Sequence, residues 1–455
     1  MSLPSKDCFA LKLPATLVHL LLVCCIAAAE PLAFPGAEGF GAHVSGGRGF
    51  PVYYVTNLND SGPGSLRAGV LQSGRMILFK ISGTITLQSG LKVEGSNLTI
   101  AGESAPGDGI CVRGEAVAIL STNIIVRFLR FRPGDDIATD HCALRIVDAS
   151  NVIVDHCSLS WSIADDIVVR QSGEVTVQWC VISEPLNRSK HKKGPHGFAA
   201  VWGSGSSGHG ASYHHNLIAD ANSRSPRVGG DPDALVDIRN NVIYNIGEGN
   251  AYGGQDARIN YIANYFKPGP STVHPDRIFR ISSARTQIFL EGNVLEGMPR
   301  VTGDNSAGLL IDDHAKQDGA ERAKLLVTRP FGVPPVTQQA AGQAYESVLA
   351  QAGCVFPKRD AVDQRVIQSV RDGTGRIIDS PKDAGGWPEL KSIPAPTDTD
   401  NDGLPDAWEL AHDLNPQDPT DGTHLTQDGY SQLELYLHAL VANATTSSNQ
   451  RAAAN

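Results

Sequence analysis

Apolar and polar residues alternate in short stretches over much of the chain, and each stretch ends in a turn rich in glycine, asparagine, aspartate or serine. A period of two is typical of a β-strand with one buried face, and such clusters mark the turns between strands. Strand-sized stretches occur at Val52–Val55, Met76–Ile81, Thr84–Leu87, Leu98–Ala101, Ile110–Val112, Val117–Leu120 and Ile124–Phe131. Because no helical window separates them, the pattern predicts an all-β fold without βαβ units.

A cysteine or an asparagine stands at the same place in six later units, which read DHCSLS, QWCVIS, HHNLIA, RNNVIY, IANYF and EGNVLE. The marked residues are Cys157, Cys180, Asn216, Asn241, Asn264 and Asn293, at intervals of 23, 36, 25, 23 and 29 residues. Repeats of this length are typical of stacked solenoids and propellers. Stacking would place the marked residues in one ladder, which predicts a parallel β-helix. A twisted β-sandwich or a propeller is the alternative, although WD and kelch signatures are missing.

The interval of 36 residues inserts a loop from Glu184 to about Gly208 into the repeat. Long loops on a rigid scaffold commonly carry binding groups. This loop is basic and contains Arg188, Lys190, His191, Lys192, Lys193 and His196. We expect it to contact a ligand, with Lys193 and His196 as candidate substrate-binding residues. The alternative is a solvated loop without a specific role.

Acidic residues lie on the units around this loop, at Asp140, Asp165 and Asp166. Stacked turns can bring them to one face, and carboxylate-rich sites with oxygen ligands favour Ca²⁺ over zinc. Arg224 and Arg227 follow in the stretch NSRSPRV. Arginine binds carboxylates in a bidentate manner, which suits a polymer of uronic acids. We therefore interpret the three aspartates as candidate calcium ligands and the two arginines as candidate substrate contacts.

The clearest metal motif lies near the C-terminus, in DTDNDGLPDAWELAHDL. Calcium loops carry ligands at positions 1, 3, 5, 9 and 12 and a glycine at position 6. The matching residues are Asp398, Asp400, Asp402, Asp406 and Glu409, with Gly403 at the glycine position. The spacing predicts a second calcium site, which we interpret as a structural staple or a small accessory module.

The first residues read as an export signal. Lys6 and Lys12 precede an apolar run from Leu13 to Ile26, and three alanines offer a cleavage site before Glu30. The run is too short and too close to the N-terminus for a membrane span. We therefore expect a secreted, extracellular protein whose mature chain begins near Glu30.

The remaining sequence divides into further segments. The strand pattern fades near Leu310, helical character appears at Val336–Leu349, and the linker SIPAPT precedes the calcium motif. We predict a signal peptide at residues 1–29, a β-helix domain at 30–330, an extension and linker at 331–395, an EF-hand-like calcium module at 396–442 and a disordered tail at 443–455.

Charge and cysteine content restrict the partners and the crosslinks. The net charge of −10 at pH 7 argues against nucleic acid and anionic membranes as partners. Of the eight cysteines, three leave with the signal, and the odd number that remains is a poor disulfide framework. Adjacent strands lie about 4.8 Å apart, so we expect Cys157 and Cys180 to be stacked, with or without a disulfide bond.

Several stretches, in this order, resemble a known family: DHCSLSW, VQWCVISEPLN, HKKGPHG, YHHNLIA and NSRSPRV are similar to the extracellular pectate lyases of polysaccharide lyase family 1. FPGAEGFGA, SGGRG and VTNLNDSGPGSLR resemble the capped N-terminus of that family. The resemblance covers about residues 35–230. It implies a right-handed parallel β-helix with an N-terminal cap, Ca²⁺ as cofactor, and a lyase that acts on pectate (polygalacturonate); we expect a monomer.

The resemblance also implies a β-elimination in which Ca²⁺ bridges carboxylates of enzyme and sugar while an arginine removes the C5 proton. Arg224, the first arginine of RSPR, matches the catalytic base of the family, and Lys193 matches its substrate-binding lysine. Arg227 takes the place of a second arginine that usually lies further along. Because guanidinium is normally protonated, a base role requires neighbouring positive charge that lowers its pKa. The alternative is that Arg224 stabilises the developing enolate.

The sequence departs from the family pattern in the cleft. The family has an aspartate where Cys142 stands and a carboxylate where Ser162 stands. The resemblance therefore leaves Asp140, Asp165 and Asp166 to hold the cleft calcium.

Two other functions are open. A polygalacturonase-like hydrolase would use Asp165 and Asp166, and Gly208-His209-Gly210 resembles one of its motifs. Inverting hydrolysis needs two carboxyl groups roughly 6.5 to 9.5 Å apart, and it leaves Arg224 and Lys193 without a role. A non-catalytic polysaccharide-binding β-helix is the third reading, and it predicts that Arg224→Ala has no effect on function.

Overall fold

A computed structural model describes the backbone of residues 30–137, 140–205, 209–229, 232 and 234–453, and the side chains of these residues up to 442. In chain order the first strands are β1 (Val52–Val55), β2 (Arg75–Phe79), β3 (Gly83–Thr86), β4 (Leu91–Val93), β5 (Leu98–Ala101), β6 (Ile110–Arg113), β7 (Val117–Ile119), β8 (Thr122–Arg127), β9 (Leu129–Phe131), β10 (Leu144–Val147), β11 (Ser150–Asp155), β12 (Ser158–Ser160), β13 (Asp165–Arg170) and β14 (Gly173–Gln178). They are followed by β15 (Val181–Ser183), β16 (Phe198–Trp202), β17 (Gly210–His214), β18 (Leu217–Ala219), β19 (Arg227–Val228), β20 (Leu235–Arg239), β21 (Val242–Tyr244), β22 (Ala251–Gly253), β23 (Arg258–Ile262), β24 (Tyr265–Lys267), β25 (Phe279–Ile281), β26 (Gln287–Glu291), β27 (Val294–Leu295) and β28 (Leu309–Ile311).

Helices precede, follow and cover the strands. They are α1 (Leu66–Val70), α2 (Pro299–Gly303), α3 (Asp313–Gln317), α4 (Arg322–Leu325), α5 (Ala341–Gln351), α6 (Ala361–Asp372), α7 (Asp406–Ala411) and α8 (Gln432–Ala453). Short 3₁₀ turns lie at Gly102–Ser104, Asn305–Gly308, Pro381–Ala384 and Asp421–Thr423.

The strands form three parallel sheets that run along one solenoid. Sheet 1 contains β1, β2, β5, β8, β11, β14, β17, β20, β23 and β26; sheet 2 contains β3, β6, β9, β12, β15, β18, β21, β24 and β27; sheet 3 contains β4, β7, β10, β13, β16, β19, β22, β25 and β28. Each strand pairs in parallel with its equivalent one turn further on, as Val152 does with Val175. This arrangement of about ten turns confirms the predicted all-β, parallel-stranded solenoid.

Alternation of side chains fills the interior. Ile167 and Val169 of β13, like Ala200 and Trp202 of β16, belong to one continuous apolar core. Successive side chains of a strand point to opposite faces, so the residues between them point away from the core. Each sheet therefore has an outer face whose cover decides whether it is available to a ligand.

The ladder of cysteine and asparagine residues lies between sheets 1 and 2 and is buried. The amide oxygen of each asparagine accepts a hydrogen bond from the backbone N–H of the preceding rung, beginning with Cys180 N–H to Asn216 Oδ1 at 2.9 Å. The same bond recurs at 3.0 Å for the next three rungs and at 2.9 Å for Asn293 N–H to Asn305 Oδ1. The predicted ladder is thus confirmed, and it continues one residue further. Cys157 and Cys180 lie on adjacent turns with free thiols, as predicted, and each thiol donates to a backbone carbonyl, Cys157 to Asp155 O at 3.5 Å and Cys180 to Gln178 O at 3.2 Å.

Sheets 1 and 2 are covered by chain from outside the solenoid. Phe34 and Val44 of the N-terminal segment pack on Ile125 and Ile153 of sheet 1. Residues of α5 and α6 pack on sheet 2, with Val348 and Val366 among them. On sheet 3, in contrast, outward residues such as Arg145, Arg170 and Arg280 are exposed. At these positions the outer face of sheet 3 is therefore open to solvent.

Other sequence expectations have mixed outcomes. The helical stretch expected at Val336–Leu349 is α5, which begins at Ala341, whereas α6 was not expected. The disordered tail expected from Asn443 is wrong for the backbone up to Ala453, because α8 continues to that residue. The predicted signal peptide lies outside the described residues. None of the described helices combines the length and apolar character needed to cross a membrane.

Candidate functional site

The outer face of sheet 3 carries a row of basic side chains. The strand register aligns Lys92, Ala118, Arg145, Val168, Val201, Arg227, Tyr252, Arg280 and Leu310 on successive turns. Arg170, two residues after Val168, is exposed on the same face. Within the described residues, no carboxylate lies within 4.0 Å of Lys92 or of the guanidinium groups of Arg145, Arg170, Arg227 and Arg280. Cations without a carboxylate within 4.0 Å, gathered on one face of a chain with a net charge of −10, favour an anionic ligand on this face.

Arg224 lies beside this row, at the start of the turn that leads into β19. Asp165 is in register with Phe198, and Phe198 forms a bridge with Ser223, so three successive turns bring Asp165, Phe198 and Arg224 together. Nη1 of Arg224 donates to both carboxylate oxygens of Asp165 at 2.8 Å. The guanidinium also lies 4.3 Å over the ring of Phe198. The structure therefore brings Arg224 into contact with Asp165, one of the predicted calcium ligands.

The surroundings of Arg224 leave it charged and ready for an acceptor. Burial disfavours its charge, but Asp165 and Tyr252 outweigh burial and raise the pKa of Arg224 above its ordinary value. Its Nε–H is buried without a hydrogen-bond partner among the described residues. A buried donor without an acceptor is costly, so an oxygen atom of a ligand is the expected partner.

The long loop folds back toward Arg224. The ring of His191 stacks on His196 with 3.2 Å between centroids, and His196 packs against Phe198 at 4.5 Å. Since Phe198 contacts Arg224, His196 lies one ring away from the candidate base. Lys193 is exposed, and its backbone N–H donates to Nδ1 of His191 at 3.1 Å. Both predicted substrate contacts thus lie on the loop that borders the site.

The three predicted cleft ligands for calcium do not form one cluster. Asp165 is occupied by Arg224, whereas Asp166 is buried and accepts from the backbone N–H of Ser162 at 3.1 Å. Burial raises the pKa of Asp166 well above its ordinary value, and its Oδ2 has no partner. Asp140 lies on the loop side, where it accepts from the backbone N–H of Lys192 at 3.1 Å. In the described residues, groups of three carboxylates at metal-binding distance occur only in the C-terminal loop. The three aspartates are therefore not gathered into one group, and their role as calcium ligands stays a prediction.

The same contacts weigh against the hydrolase alternative. Inverting hydrolysis requires two available carboxyl groups on opposite sides of a bond. Asp165 is engaged by Arg224, and Asp166 is buried against Ser162. Of the Gly208-His209-Gly210 motif, Gly208 lies outside the described residues, and His209 is exposed and pairs with Glu174 at 3.0 Å.

Sequence reasoning missed two aromatic residues of the site. Phe198 and Tyr252 flank the Arg224 guanidinium and belong to strands that the ladder spacing places next to Arg224. The register of the strands is the signal that identifies them, because it assigns Tyr252 to the rung after Arg227. Arg227 itself is on the outer row, as a substrate contact requires.

The C-terminal loop forms a separate acidic centre. Two groups of carboxylates have ligand atoms within 4.8 Å of one another, the first made by Asp398, Asp400 and Asp402 and the second by Asp402, Glu409 and Asp421. Both oxygens of Glu409, Oδ2 of Asp400 and Oδ1 of Asp421 are buried without a hydrogen-bond partner. Burial and the neighbouring acids raise the pKa of Glu409 to about 7. Unpartnered, mutually repelling carboxylate oxygens fit a calcium ion.

One predicted ligand of this loop lies outside both groups. Asp406, expected at position 9, accepts instead from the N–H and the hydroxyl of Thr399, both at 2.8 Å. Asp421, twelve residues beyond the template, joins the cluster because the 3₁₀ turn at Asp421–Thr423 returns to Asp402. Here Gly422 N–H donates to Asp402 Oδ2 at 2.6 Å.

Comparison with known sequences finds relatives that carry the same name. The chain is 34% identical over 423 residues to a protein of Aspergillus flavus named probable pectate lyase C. The aligned region covers 91% of this chain and 95% of that protein. It is 34% identical over 438 residues to a protein of the same name from Emericella nidulans, with 94% and 98% covered. No protein-family profile matches.

Comparison with solved structures gives the same fold. The major cedar pollen allergen jun a 1 superposes with a TM-score of 0.52 at 17% identity, over 70% of this chain and 93% of that chain. A pectate lyase bound to a hexasaccharide superposes with a TM-score of 0.50 at 15% identity, over 72% and 99%. Similarity at this level concerns the fold alone.

Proposed function

The chain belongs to the pectate lyase family, and from this membership we propose that it is a secreted, monomeric enzyme that cleaves polygalacturonate by calcium-assisted β-elimination. The relatives named probable pectate lyase C support the reaction class. The observation that carries the proposal is Arg224, held between Asp165 and Phe198 beside a row of cations without carboxylate partners.

The basic row supplies the binding part of the reaction. A polygalacturonate chain carries one carboxylate on each sugar, and guanidinium groups bind carboxylates in a bidentate manner. Arg227 and Arg280 lie two turns apart on the row, with Tyr252 between them. A chain that follows the row would place successive carboxylates along the outer face, while Lys193 and His196 approach from the loop.

Arg224 is the proposed proton acceptor. The elimination transfers the C5 proton to the base, forms a double bond between C4 and C5, and releases the oxygen on C4, which gains a proton. Asp165 is the largest contributor that raises the pKa of Arg224. Withdrawal of this carboxylate from the guanidinium is therefore the change that would move Arg224 toward proton acceptance.

Calcium has two proposed sites. In the cleft, Asp165 would have to release Arg224 before it could hold the ion together with Asp140 from the loop and Oδ2 of Asp166; when bound, the ion would supply the positive charge that acidifies the C5 proton. The C-terminal site would be held by Asp398, Asp400, Asp402, Glu409 and Asp421. Oxygen-only donor sets of this kind prefer calcium.

Secretion and the outer segments complete the proposal. We propose that residues 1–29 are removed on export, which sequencing the N-terminus of the secreted protein tests; a mature chain that begins far from Glu30 would contradict it. Residues 34–71 would cap the first turn of a right-handed solenoid. Residues 396–442 would form the calcium module.

The central test is an assay on polygalacturonate with and without a calcium chelator. We expect ultraviolet absorbance from the unsaturated product, lost with chelator, and a fall in turnover of roughly 10²–10⁴-fold in Arg224→Lys, the size of a general base contribution. Arg371→Ala, an exposed arginine that pairs with Glu346 on the helices, is the matched control. Reducing ends without ultraviolet absorbance would establish hydrolysis, and an active Arg224→Ala would exclude Arg224 as the base.

A further inference from the structure

A polar cavity, the α6 cavity, lies outside the cleft, between helix α6 and the solenoid. Its volume is about 330 Å³, and its walls include the last two turns of α6, the 3₁₀ turn at Pro381–Ala384, and Glu184 and Asp220, which directly follow β15 and β18. Neither Arg224 nor Arg227 lines it. Small-molecule sites have volumes of about 300–1,000 Å³, so this space suits a ligand the size of one sugar unit.

The buried carboxyl group of Asp220 forms one wall of the α6 cavity. Its Oδ1 accepts a hydrogen bond from Nδ2 of Asn245 at 2.6 Å, and no other described residue bonds to this carboxyl group. Burial raises the pKa of Asp220 to about 8, and the neighbouring Glu184 adds to the effect. At neutral pH the group therefore keeps its proton, so its second oxygen carries an O–H group that can donate to a ligand.

A pair of charged residues forms a second wall. Nη2 of Arg365 donates to Oε2 of Glu184 at 2.8 Å, and Nη1 donates to Oε1. Nε1 of Trp161 donates to the same Oε2 at 3.0 Å, so the buried Glu184 has an ionic partner and a further donor. A guanidinium group has five N–H donors, and this pair uses two of them. The remaining N–H groups of Arg365, which is partly exposed, are available to an acceptor in the cavity.

The turn after α6 encloses the cavity tightly. Gly373 ends the helix with a φ of 70°, a left-handed conformation that favours glycine, and its N–H donates to Ser369 O. The N–H of Gly375 then donates to the hydroxyl of Tyr244 at 2.8 Å. A Cβ atom at Gly375 would lie 2.2 Å from Oδ1 of Asp220, so the turn passes directly over the buried carboxyl group. The polar groups of the cavity are therefore held in place before a ligand arrives, which lowers the entropic cost of binding.

The charges around the cavity favour a neutral ligand. Besides Asp220, its lining contains the acids Glu184, Asp372 and Asp383 and the bases Arg365 and Arg376. Positive charge is not in excess, as the binding of an anion would require. A cation would need the proton of Asp220 to leave, and the groups of acids that could hold a metal ion within the described residues do not include this one. Hydroxyl groups, which both donate and accept, match the mixed donors and acceptors of the lining.

We propose that the α6 cavity binds a neutral sugar unit through the carboxyl group of Asp220 and the free N–H groups of Arg365. One sugar hydroxyl would accept from Arg365 and another would pair with Asp220, while Gln368 and Ser369 of α6 offer further polar contacts. The proposal goes beyond the lyase reaction, because the cleft residues take no part in it. It gives the enzyme a second point of attachment on a polysaccharide that carries neutral sugars.

Titration with two matched sugars tests the site. Galactose and galacturonate differ only at C6, where galactose has a neutral hydroxymethyl group and galacturonate has a carboxylate. In NMR of protein with isotope-labelled tryptophan, we expect galactose to shift the indole N–H signal of Trp161, which bonds to Glu184 in the cavity wall. Trp161→Phe assigns this signal by its loss. Calorimetry is expected to give a dissociation constant on the order of 1 mM for galactose and about tenfold weaker binding for galacturonate.

A glycoside tests attachment to a chain. Methyl galactoside has the linkage of a sugar at the end of a polysaccharide, and we expect it to bind as tightly as galactose. Binding of galactose alone would exclude attachment to a polysaccharide through this cavity.

Variants on α6 locate the binding. Ser369→Leu fills the cavity from a half-buried position and is expected to weaken galactose binding about tenfold. Gln368→Ala removes an exposed amide, so the fold is preserved, and is expected to weaken binding about fivefold. Gln364→Leu, at an exposed position of α6 outside the cavity, is the matched control and should keep the parental affinity.

The outcomes separate this inference from the proposed function. Parental galactose affinity in both Ser369→Leu and Gln368→Ala, or loss of galactose binding in Arg224→Ala, would refute the α6 site. If the parent binds galactose in the α6 cavity but makes no unsaturated product from polygalacturonate, the proposed function fails and the α6 site stands.

Discussion

Single ionisable groups in this protein respond to burial in opposite ways, depending on what faces them. Arg224 keeps its charge because a carboxylate compensates for burial. Asp220, which is 1% exposed, faces an amide: Asn245 Nδ2 donates to its Oδ1 at 2.6 Å. Burial raises the pKa of Asp220 from 3.8 to about 8, and the nearby Glu184 adds to the effect. The same solenoid thus holds one group charged and another neutral near pH 7.

The raised pKa of Asp220 predicts a pH dependence of stability. The unfolded carboxyl ionises near pH 3.8, whereas the folded one keeps its proton until about pH 8. Its contribution to stability is therefore fully present below pH 3.8 and is lost as the pH rises through about 8. Asp220→Asn keeps the acceptor for Asn245 and removes the ionisation, so we expect the variant to gain stability over the parent as the pH rises.

Thermal unfolding of both proteins across this pH range is the measurement. Asp220 and the exposed Asp372 line one surface cavity. Asp372→Asn is therefore the control, and its stability relative to the parent should not increase with pH. A constant difference between Asp220→Asn and the parent at every pH would contradict the assignment.

At the scale of the element, the asparagine ladder determines how one turn stacks on the next. Asn241 Oδ1 accepts from the backbone N–H and from Nδ2 of Asn216, both at 3.0 Å. Its own Nδ2 donates to Tyr213 O at 2.9 Å and to Asn264 Oδ1 at 2.9 Å. All of these groups are buried, so each amide satisfies donors that would otherwise lose their hydrogen bonds to water.

Truncation of one rung should therefore be costly. Asn241→Ala leaves the N–H and the amide of Asn216 without their acceptor, and buried unsatisfied groups cost about 1–3 kcal/mol each. We expect a loss of about 2–4 kcal/mol in the free energy of unfolding, measured by urea denaturation. Asn59→Ala, on an exposed asparagine, should change it by less than about 0.5 kcal/mol. Equal effects of the two substitutions would show that the ladder contributes little.

The sequence predicts regular features of the elements better than contacts made by irregular chain. The spacing of Cys157 to Asn293 is enough to predict the ladder, because identical stacked turns repeat the same residue at the same place. The meeting of Arg224 with Asp165 follows from the same stacking. Asp421 could not be found from the calcium template, since a turn outside the twelve-residue loop brings it back to Asp402. Tyr252 can be identified only from the register of the strands, because the uneven loop lengths hide that register in the sequence.

At the scale of the whole molecule, the outer faces of the three sheets are covered to different extents. The N-terminal segment covers sheet 1, and helices α5 and α6 cover sheet 2. The buried pair of Arg132 with Asp363, at 2.7 Å, ties α6 to the solenoid. Sheet 3 keeps exposed arginines on its outer face, so a chain of net negative charge still presents a positively charged surface to an anionic ligand.

The acidic C-terminal loop joins the C-terminal region to the first turns. The hydroxyl of Tyr54 in β1 donates to Asp398, and Nζ of Lys80 donates to Asn401 at 2.9 Å. Leu433 and Leu437 of α8 pack on Met76 and Leu78 of β2. An ion in this loop would therefore stabilise contacts between segments that are more than 300 residues apart in the chain.

Removal of calcium should consequently lower the unfolding temperature of the whole chain. An ion at 100 times its dissociation constant stabilises the folded state by about 2.7 kcal/mol. In differential scanning calorimetry we expect Glu409→Gln and Asp421→Asn to lose much of the shift that calcium produces in the parent. Asp406→Asn should keep the shift, because this carboxylate bonds to Thr399 rather than facing the cluster. The proposed cleft site is intact in all three variants, so differences between them report on the loop alone. Loss of the shift in Asp406→Asn, with retention in Asp421→Asn, would restore the template assignment and contradict the structure.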